Sequence, residues 1–255
     1  DILFTTEQSI DRLEQAILQL AVMGRLVPQD PADEPTSRLL EKISSEKIRL
    51  FEEGKAKRPH SLPSLKDEEK PFKLPKGWAW VRVWDVATLI TSGSRGWAKY
   101  YSERGSIFLT MGNLSRGGYK LRMENIRYVS PPQNSEGYRT KLEPGDLVVS
   151  ITGEVGNLGL IPEGFGEAYI NQHSALVRFT SFCDTRYLAE FMRSPWAKYQ
   201  FDAPQRGVKN SFRLGDLGAM SLPLPPVNEQ HRIVNKIDEL MALCDHLKAR
   251  LNEAG

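Results

Sequence analysis

The chain has 255 residues, with a hydrophobic fraction of 40% and a charged fraction of 26%. These values are ordinary for a globular protein and allow one large domain or a medium domain with appendages. No apolar run approaches the roughly 20 residues that span a membrane. No signal peptide is visible, and residue 1 is Asp rather than Met, as expected of a chain trimmed from a longer one. The two cysteines, Cys183 and Cys244, are far apart in sequence, which fits reduced thiols in the cytoplasm better than a disulfide.

The net charge of +2 is unevenly distributed. Residues 1–77 hold 13 Lys+Arg against 14 Asp+Glu, residues 78–220 hold 17 against 13, and residues 221–255 hold 4 against 5. The excess therefore sits in the middle, where 12 of the 17 cations are Arg, whose planar fork suits phosphates and guanine edges. An excess of this size is also common in domains that never meet nucleic acid, so it points to DNA only in company with other signals.

In chain order, Ile10, Leu13, Ile17, Leu20 and Gly24 recur at 3-4-3-4 spacing and predict a helix capped by Thr6 and stopped at Gly24. After Pro28, Pro31 and Pro35, Thr36 is expected to cap a second helix through Leu39, Leu40, Ile43, Leu50 and Phe51, ending at Gly54. Residues 55–77, Lys-rich and broken by Pro59, Pro63, Pro71 and Pro75, read as an extended linker. From Trp78 to residue 222 the pattern becomes short apolar runs between Gly, Asn and Pro. Strands are predicted at 107–109, 126–129, 147–151 and 174–179, and helices from Thr185 to Arg193 and from Pro195 to Phe201. Trp78 and Trp80 read as core anchors. In residues 223–255, Asn228 is the predicted cap of a long helix whose Ile233, Ile237, Leu240, Cys244, Leu247 and Leu251 form a heptad seam. Its covering partner is expected to be the N-terminal stripe, in this chain or in a second copy. The predicted fold class is α+β, with a twisted, mostly antiparallel sheet domain flanked by terminal helices that form a coiled-coil-like stalk. Arg232, Lys236 and Lys248 are read as solvated.

Signatures of catalysis are missing. Pro131-Pro132 follows Ser130 and precedes Gln133, which is not the Asn/Asp-Pro-Pro-aromatic turn of an adenine methyltransferase. Gly153-Glu154-Val155-Gly156 is too short for a dinucleotide loop. Asp146 and Glu154 flank a strand without a nearby Lys, and acids in that position are expected to be solvated. The histidines are scattered, so neither a catalytic residue nor a metal site is assigned.

Several segments together resemble the specificity subunits of type I restriction–modification systems. Residues 74–80 (Leu-Pro-Lys-Gly-Trp-Ala-Trp) resemble the start of a target recognition domain of that family. Residues 142–150 (Leu-Glu-Pro-Gly-Asp-Leu-Val-Val-Ser) with Thr152-Gly153 resemble its central strand, residues 223–234 (Pro-Leu-Pro-Pro-Val-Asn-Glu-Gln-His-Arg-Ile-Val) the helix that follows, and residues 16–31 its helical leader. The resemblance implies sequence-specific recognition of double-stranded DNA, with one domain reading one half of a split target. It also implies helices that set the gap between half-sites and dock methyltransferase subunits carrying S-adenosylmethionine, with restriction subunits joining separately. Only one recognition domain is visible, which leaves either an N-terminal half of a full subunit or a half-subunit that pairs with itself as a homodimer.

DNA contact needs cations for phosphates and amides, Arg or hydroxyls for base edges. Three loops offer that mixture: Ser92, Ser94, Arg95, Lys99 and Tyr100; Asn113, Ser115, Arg116, Tyr119 and Lys120; and Arg206, Lys209 and Asn210. Gln172 is a further candidate for pairing with adenine. The plain alternative for each is a polar turn in which Gly, Asn and Ser serve the backbone. Two other functions stay open: a protein-interaction scaffold, and a nuclease hidden in the middle domain.

Overall fold

Helix α1 (Glu7–Val22) opens on a reciprocal cap, with Thr6 Oγ1 accepting from Ser9 N and Ser9 Oγ accepting from Thr6 N. The computed structural model describes residues 6–54, 62–133, 135–203 and 211–254. Helix α2 (Thr36–Glu52) follows. Thr36 is its first residue rather than its cap, and the Thr36 hydroxyl is buried and donates to Leu224 O at 3.0 Å. Strand β1 (Ala79–Arg82), the single turn α3 (Val83–Val86), and strands β2 (Ala87–Ser92), β3 (Tyr101–Ser102), β4 (Ser106–Leu109) and β5 (Arg127–Val129) come next. Then follow β6 (Leu147–Ser150), β7 (Leu158–Leu160), β8 (Ala168–Ile170), β9 (Ser174–Phe179), helices α4 (Thr185–Arg193), α5 (Pro195–Asp202) and α6 (Leu214–Ala219), strand β10 (Ser221–Leu224) and the long α7 (Val227–Ala254).

The strands form three sheets. The central one has the order β2-β9-β6-β7, all antiparallel. A smaller sheet runs β3-β5-β4-β8, in which β4 and β8 are parallel. The third pairs β1 with β10 antiparallel, with Trp80 opposite Pro223. A proline is tolerated there because each strand of this pair has a free edge. Residues 62–77 do not trail as a free linker. Arg82 donates to Pro63 O and to Glu69, Trp80 Nε1 donates to Phe72 O, and Phe72 and Leu74 pack on the core.

The terminal helices are not projecting arms. Lys248 bridges Asp11 and Glu14 at 2.8 and 2.6 Å near one end of α1, and Gln29, just beyond its other end, donates to Glu229 at 2.7 Å. This fixes α1 and α7 as an antiparallel pair. Ile10, Ile17, Ile233, Ile237 and Cys244 share one buried cluster with Leu147, Val149, Val177 and Phe191 of the central domain, and Leu13, Leu240, Leu247 and Leu251 lie partly buried at its margin. Leu20 falls outside the seam at 41% exposure. Arg232, read as solvated, pairs with Asp33 at 2.6 Å, Lys236 pairs with Glu239, and Lys248 is the bridge already described.

Nor does Asn228 cap α7. The helix starts at Val227, Gln230 N donates to Pro226 O, and Asn228 lies inside the first turn. The Glu-Gln pair behind the double proline is a buried lock instead. Glu229 accepts from Trp78 Nε1 at 2.8 Å and from Gln29. Gln230 accepts from Asp184 N at 2.8 Å and donates to Pro225 O at 2.9 Å. Both cysteines are free and buried, and burial pushes the Cys183 thiol up to about 12, which leaves it unreactive.

The Asp33–Arg232 pair supplies a test in pH. Hydrogen bonding to Arg232 is the main influence holding the Asp33 carboxyl below its ordinary value, and its side chain is 6% exposed. A lowered folded-state value gives stability that is fully present above the unfolded value, roughly pH 4, and is lost as pH falls through the folded one. Thermal melts should therefore separate wild type from Asp33→Asn at pH 7, with the gap narrowing as pH falls below roughly 4. A gap independent of pH contradicts this.

Candidate nucleic-acid interface

One end of the central sheet gathers loops from distant parts of the chain. β2 and β6 finish there, and β9 and β7 begin there. Gly93 N donates to Ser174 O at 3.3 Å, Ile151 N to His173 O at 2.9 Å and Phe212 N to Ile151 O at 2.8 Å, while Ser94 bridges Asn171 and Thr152 bridges Ser211. Gly93 is required for this closure, because a Cβ there would overlap the carbonyls of Ile170 and Asn171.

The first predicted loop stands on this end. Trp97 is its anchor, buried among Phe108, Val129 and Tyr169, with Tyr100 edge-on to it at 6.0 Å. The anchor leaves Arg95 and Lys99 exposed, with the Lys99 ammonium 4.9 Å from the Tyr100 ring centre. Ser92 is half-buried, and Ser94 is 5% exposed, so the Ser94 side chain serves the loop's own structure. Arg139, absent from the sequence candidates, donates to Thr91 Oγ1 at 2.8 Å and to Ser94 Oγ at 3.5 Å and is itself exposed. It adds a third cation to this end. Nothing local marks it, since its partners lie 48 and 45 residues away.

Gln172 joins the same surface within a side-chain chain. Gln172 Nε2 lies 2.9 Å from His173 Nε2, and His173 Nδ1 lies 2.8 Å from Thr152 Oγ1. Asn171 Oδ1 accepts from His173 N at 3.0 Å and closes the turn.

The second predicted loop starts beside Leu158, the first residue of β7, and its polar groups are largely engaged within the fold. Asn113 is 2% exposed, with its Oδ1 accepting from Thr110 N and its Nδ2 donating to Arg122 O, both at 2.9 Å. It is a turn-former without free groups for a base. Ser115 and Leu158 exchange backbone hydrogen bonds at 2.8 Å, and Leu160 N donates to Tyr119 O, so residues 115–119 run along the outer edge of β7. The Ser115 hydroxyl is used on Lys120 O at 2.6 Å. Tyr119 is half-buried, its phenol accepts from Arg186 at 3.2 Å, and Arg193 lies over its ring, so it is tied to α4 rather than free for DNA. Lys120 is exposed. Arg116 is also exposed but lines a cleft of about 720 Å³ shared with Asp11, Glu14, Lys198 and Lys248, on the side of the terminal helices. Deep in that cleft Glu190 pairs with Arg193 at 2.6 Å, and burial raises its carboxyl above the usual range. Arg206, Lys209 and Asn210 lie outside the described residues.

The acid pair at β6 behaves differently from a solvated pair. Asp146 is 1% exposed and accepts from Arg178 Nε and Nη2, both at 2.8 Å, and from Glu143 N at 2.7 Å. Glu154 is exposed and accepts from Asn157 Nδ2 at 3.2 Å. Among the described residues no three His, Cys, Asp or Glu side chains group as metal ligands, and no helix is long and apolar enough to cross a membrane.

Arg95, Lys99, Arg139 and Gln172 thus lie at one end of the central sheet, on a domain braced by an antiparallel helix pair. The chain belongs to the type I restriction modification DNA specificity domain family, whose model matches residues 75–254. It is 34% identical over 255 residues to the type I restriction enzyme EcoAI specificity subunit of Escherichia coli, a match covering 97% of this chain and 42% of that protein. It is 32% identical to the EcoEI specificity subunit of Escherichia coli, over 100% of this chain and 44% of that protein. The chain thus spans less than half the length of these curated relatives. Among solved structures, a chain of a type I R-M system superposes with a TM-score of 0.56 at 21% identity, over 97% of this chain and 54% of that one. The HsdS subunit from Thermoanaerobacter tengcongensis superposes at 0.54 with 20% identity, over 95% and 52%. These two likenesses show the fold.

Proposed function

We propose that this chain reads double-stranded DNA in the cytoplasm as part of a type I restriction–modification specificity subunit, recognising one half of a bipartite target. The observation that carries this reading is the convergence of Arg95, Lys99, Arg139 and the Gln172 amide on one end of the central sheet. Cations there neutralise phosphates and fix register, and an amide can pair with a base edge. The chain works without a catalytic centre of its own. Methyl transfer belongs to methyltransferase subunits that hold S-adenosylmethionine, and restriction subunits join through the complex. Leu20 and Leu243, 41% and 55% exposed on α1 and α7, support docking of a partner along the helix pair. A second copy is the partner if the chain acts as a half-subunit.

The test is a gel shift against a random-sequence duplex pool at moderate salt with competitor. Retained complexes that weaken as salt rises support DNA reading. A protein that never shifts DNA is a scaffold instead, and metal-dependent cleavage of plasmid by the pure protein marks a nuclease. Within this test, Arg95→Ala should weaken binding by about 1 kcal/mol, while Arg116→Ala, on the cleft side, should leave it nearly unchanged.

A further inference from the structure

The turn between β8 and β9 carries Gln172 and His173, half-buried and bonded in series with the half-buried Thr152 just beyond β6, and the backbone there is already held without these three side chains. Ile151 N donates to His173 O, Ser94 bridges Asn171, and Ser150 is paired with Ser174. Yet both ring nitrogens of His173 are spent on neighbouring side chains, Thr152 Oγ1 at 2.8 Å and Gln172 Nε2 at 2.9 Å. A carboxamide nitrogen only donates, so His173 Nε2 must accept from Gln172. A neutral imidazole then carries its proton on Nδ1 and gives it to the Thr152 hydroxyl. The Gln172 amide is left with one N–H and its carbonyl oxygen, neither of which meets a partner among the described residues. One donor beside one acceptor matches the N7 and N6 edge of adenine in the major groove.

We infer that Thr152 and His173 form a relay that sets which way the Gln172 amide faces DNA, making His173 a positioning residue for adenine readout at one base pair. The inference rests on the DNA-reading function proposed above. Thr152 fixes the His173 tautomer, His173 fixes the amide, and the amide reads the base.

The experiment is enrichment from a random duplex pool by the full chain together with its methyltransferase subunit, scored base by base alongside the salt dependence of binding. Wild type should favour adenine at one position. Gln172→Ala, His173→Ala and Thr152→Val should each relax that position by roughly tenfold or more, leaving the other positions and the salt dependence unchanged. The Gln172→Ala/His173→Ala double variant should lose no more than either single one, because the two act as a unit. Thr152→Ser keeps the hydroxyl and should keep the preference. The relay is overturned if His173→Ala and Thr152→Val leave intact the preference that Gln172→Ala removes, or if they weaken all positions uniformly. Should His173→Ala fail to fold, Thr152→Val against Thr152→Ser decides. A wild type that enriches no sequence removes the DNA-reading function itself, and the relay with it.

Discussion

Asp146→Ala is expected to destabilise the chain by about 3 kcal/mol, measured as a fall in the urea midpoint at unchanged slope. Asp146 is buried at the head of β6, and its carboxylate receives Arg178 Nε and Nη2 from β9 and the Glu143 backbone N–H. Burial raises its carboxyl above the ordinary range, with Arg178 pulling the other way. Removing the carboxylate leaves Arg178 Nε and the Glu143 N–H without their acceptor, while Arg178 Nη2 keeps only Lys141 O at 3.2 Å. Arg178 keeps 26% of its side chain exposed and a second contact to Glu143 at 2.7 Å, which holds the loss to the lower part of the range for broken buried pairs. Asp146→Asn, which keeps one acceptor, should cost less than Asp146→Ala. A loss under about 1 kcal/mol for Asp146→Ala would show that water reaches Arg178 and that the pair is not what joins β6 to β9.

The combined variant Arg95→Ala/Lys99→Ala/Arg139→Ala is expected to leave the fold intact and to reduce the slope of log affinity against log salt by between about two and three. Each residue is exposed, so truncation removes charge without opening the core. At moderate salt the loss in affinity should exceed roughly a hundredfold. Neutralising Arg116 and Lys120 in the same way should change the slope little, because residues 115–119 follow β7 toward the helix pair. The reverse ranking would move the DNA surface to the cleft.

Much of the scaffold was legible because its signals are local. Thr6 and Ser9 are three residues apart, so the α1 cap can be read directly. The apolar runs predicted as strands at 107–109 and 147–151 form β4 (Ser106–Leu109) and β6 (Leu147–Ser150). The seam from Ile233 to Leu251 packs as its spacing indicates, although against α1 and the central core together. Strands β7 and β8, three residues each, and β10, which contains Pro223, carry no periodicity of their own and exist only through their partners.

The site divided along the same line. Arg95 and Lys99 sit in a loop whose small residues advertise it. Asn113 and Tyr119 sit in an equally suggestive loop, but a turn bond to Arg122 nine residues on and a bond from Arg186, 67 residues on, engage their polar groups. Arg139 and Thr152 reach the surface through contacts 48 and 21 residues distant, which composition cannot reveal. The Glu229-Gln230 pair was recognisable as part of a family motif. Its task of pinning α7 to Trp78 and to the start of α4 follows only from geometry.

The most direct measurement is selection from a random duplex pool by this chain with its methyltransferase subunit, repeated with the Arg95/Lys99/Arg139 variant. The account predicts that wild type enriches a short half-site and that the variant, though folded, enriches nothing above background. Equal enrichment by both proteins, or none by wild type, would contradict a DNA-reading surface at this end of the sheet.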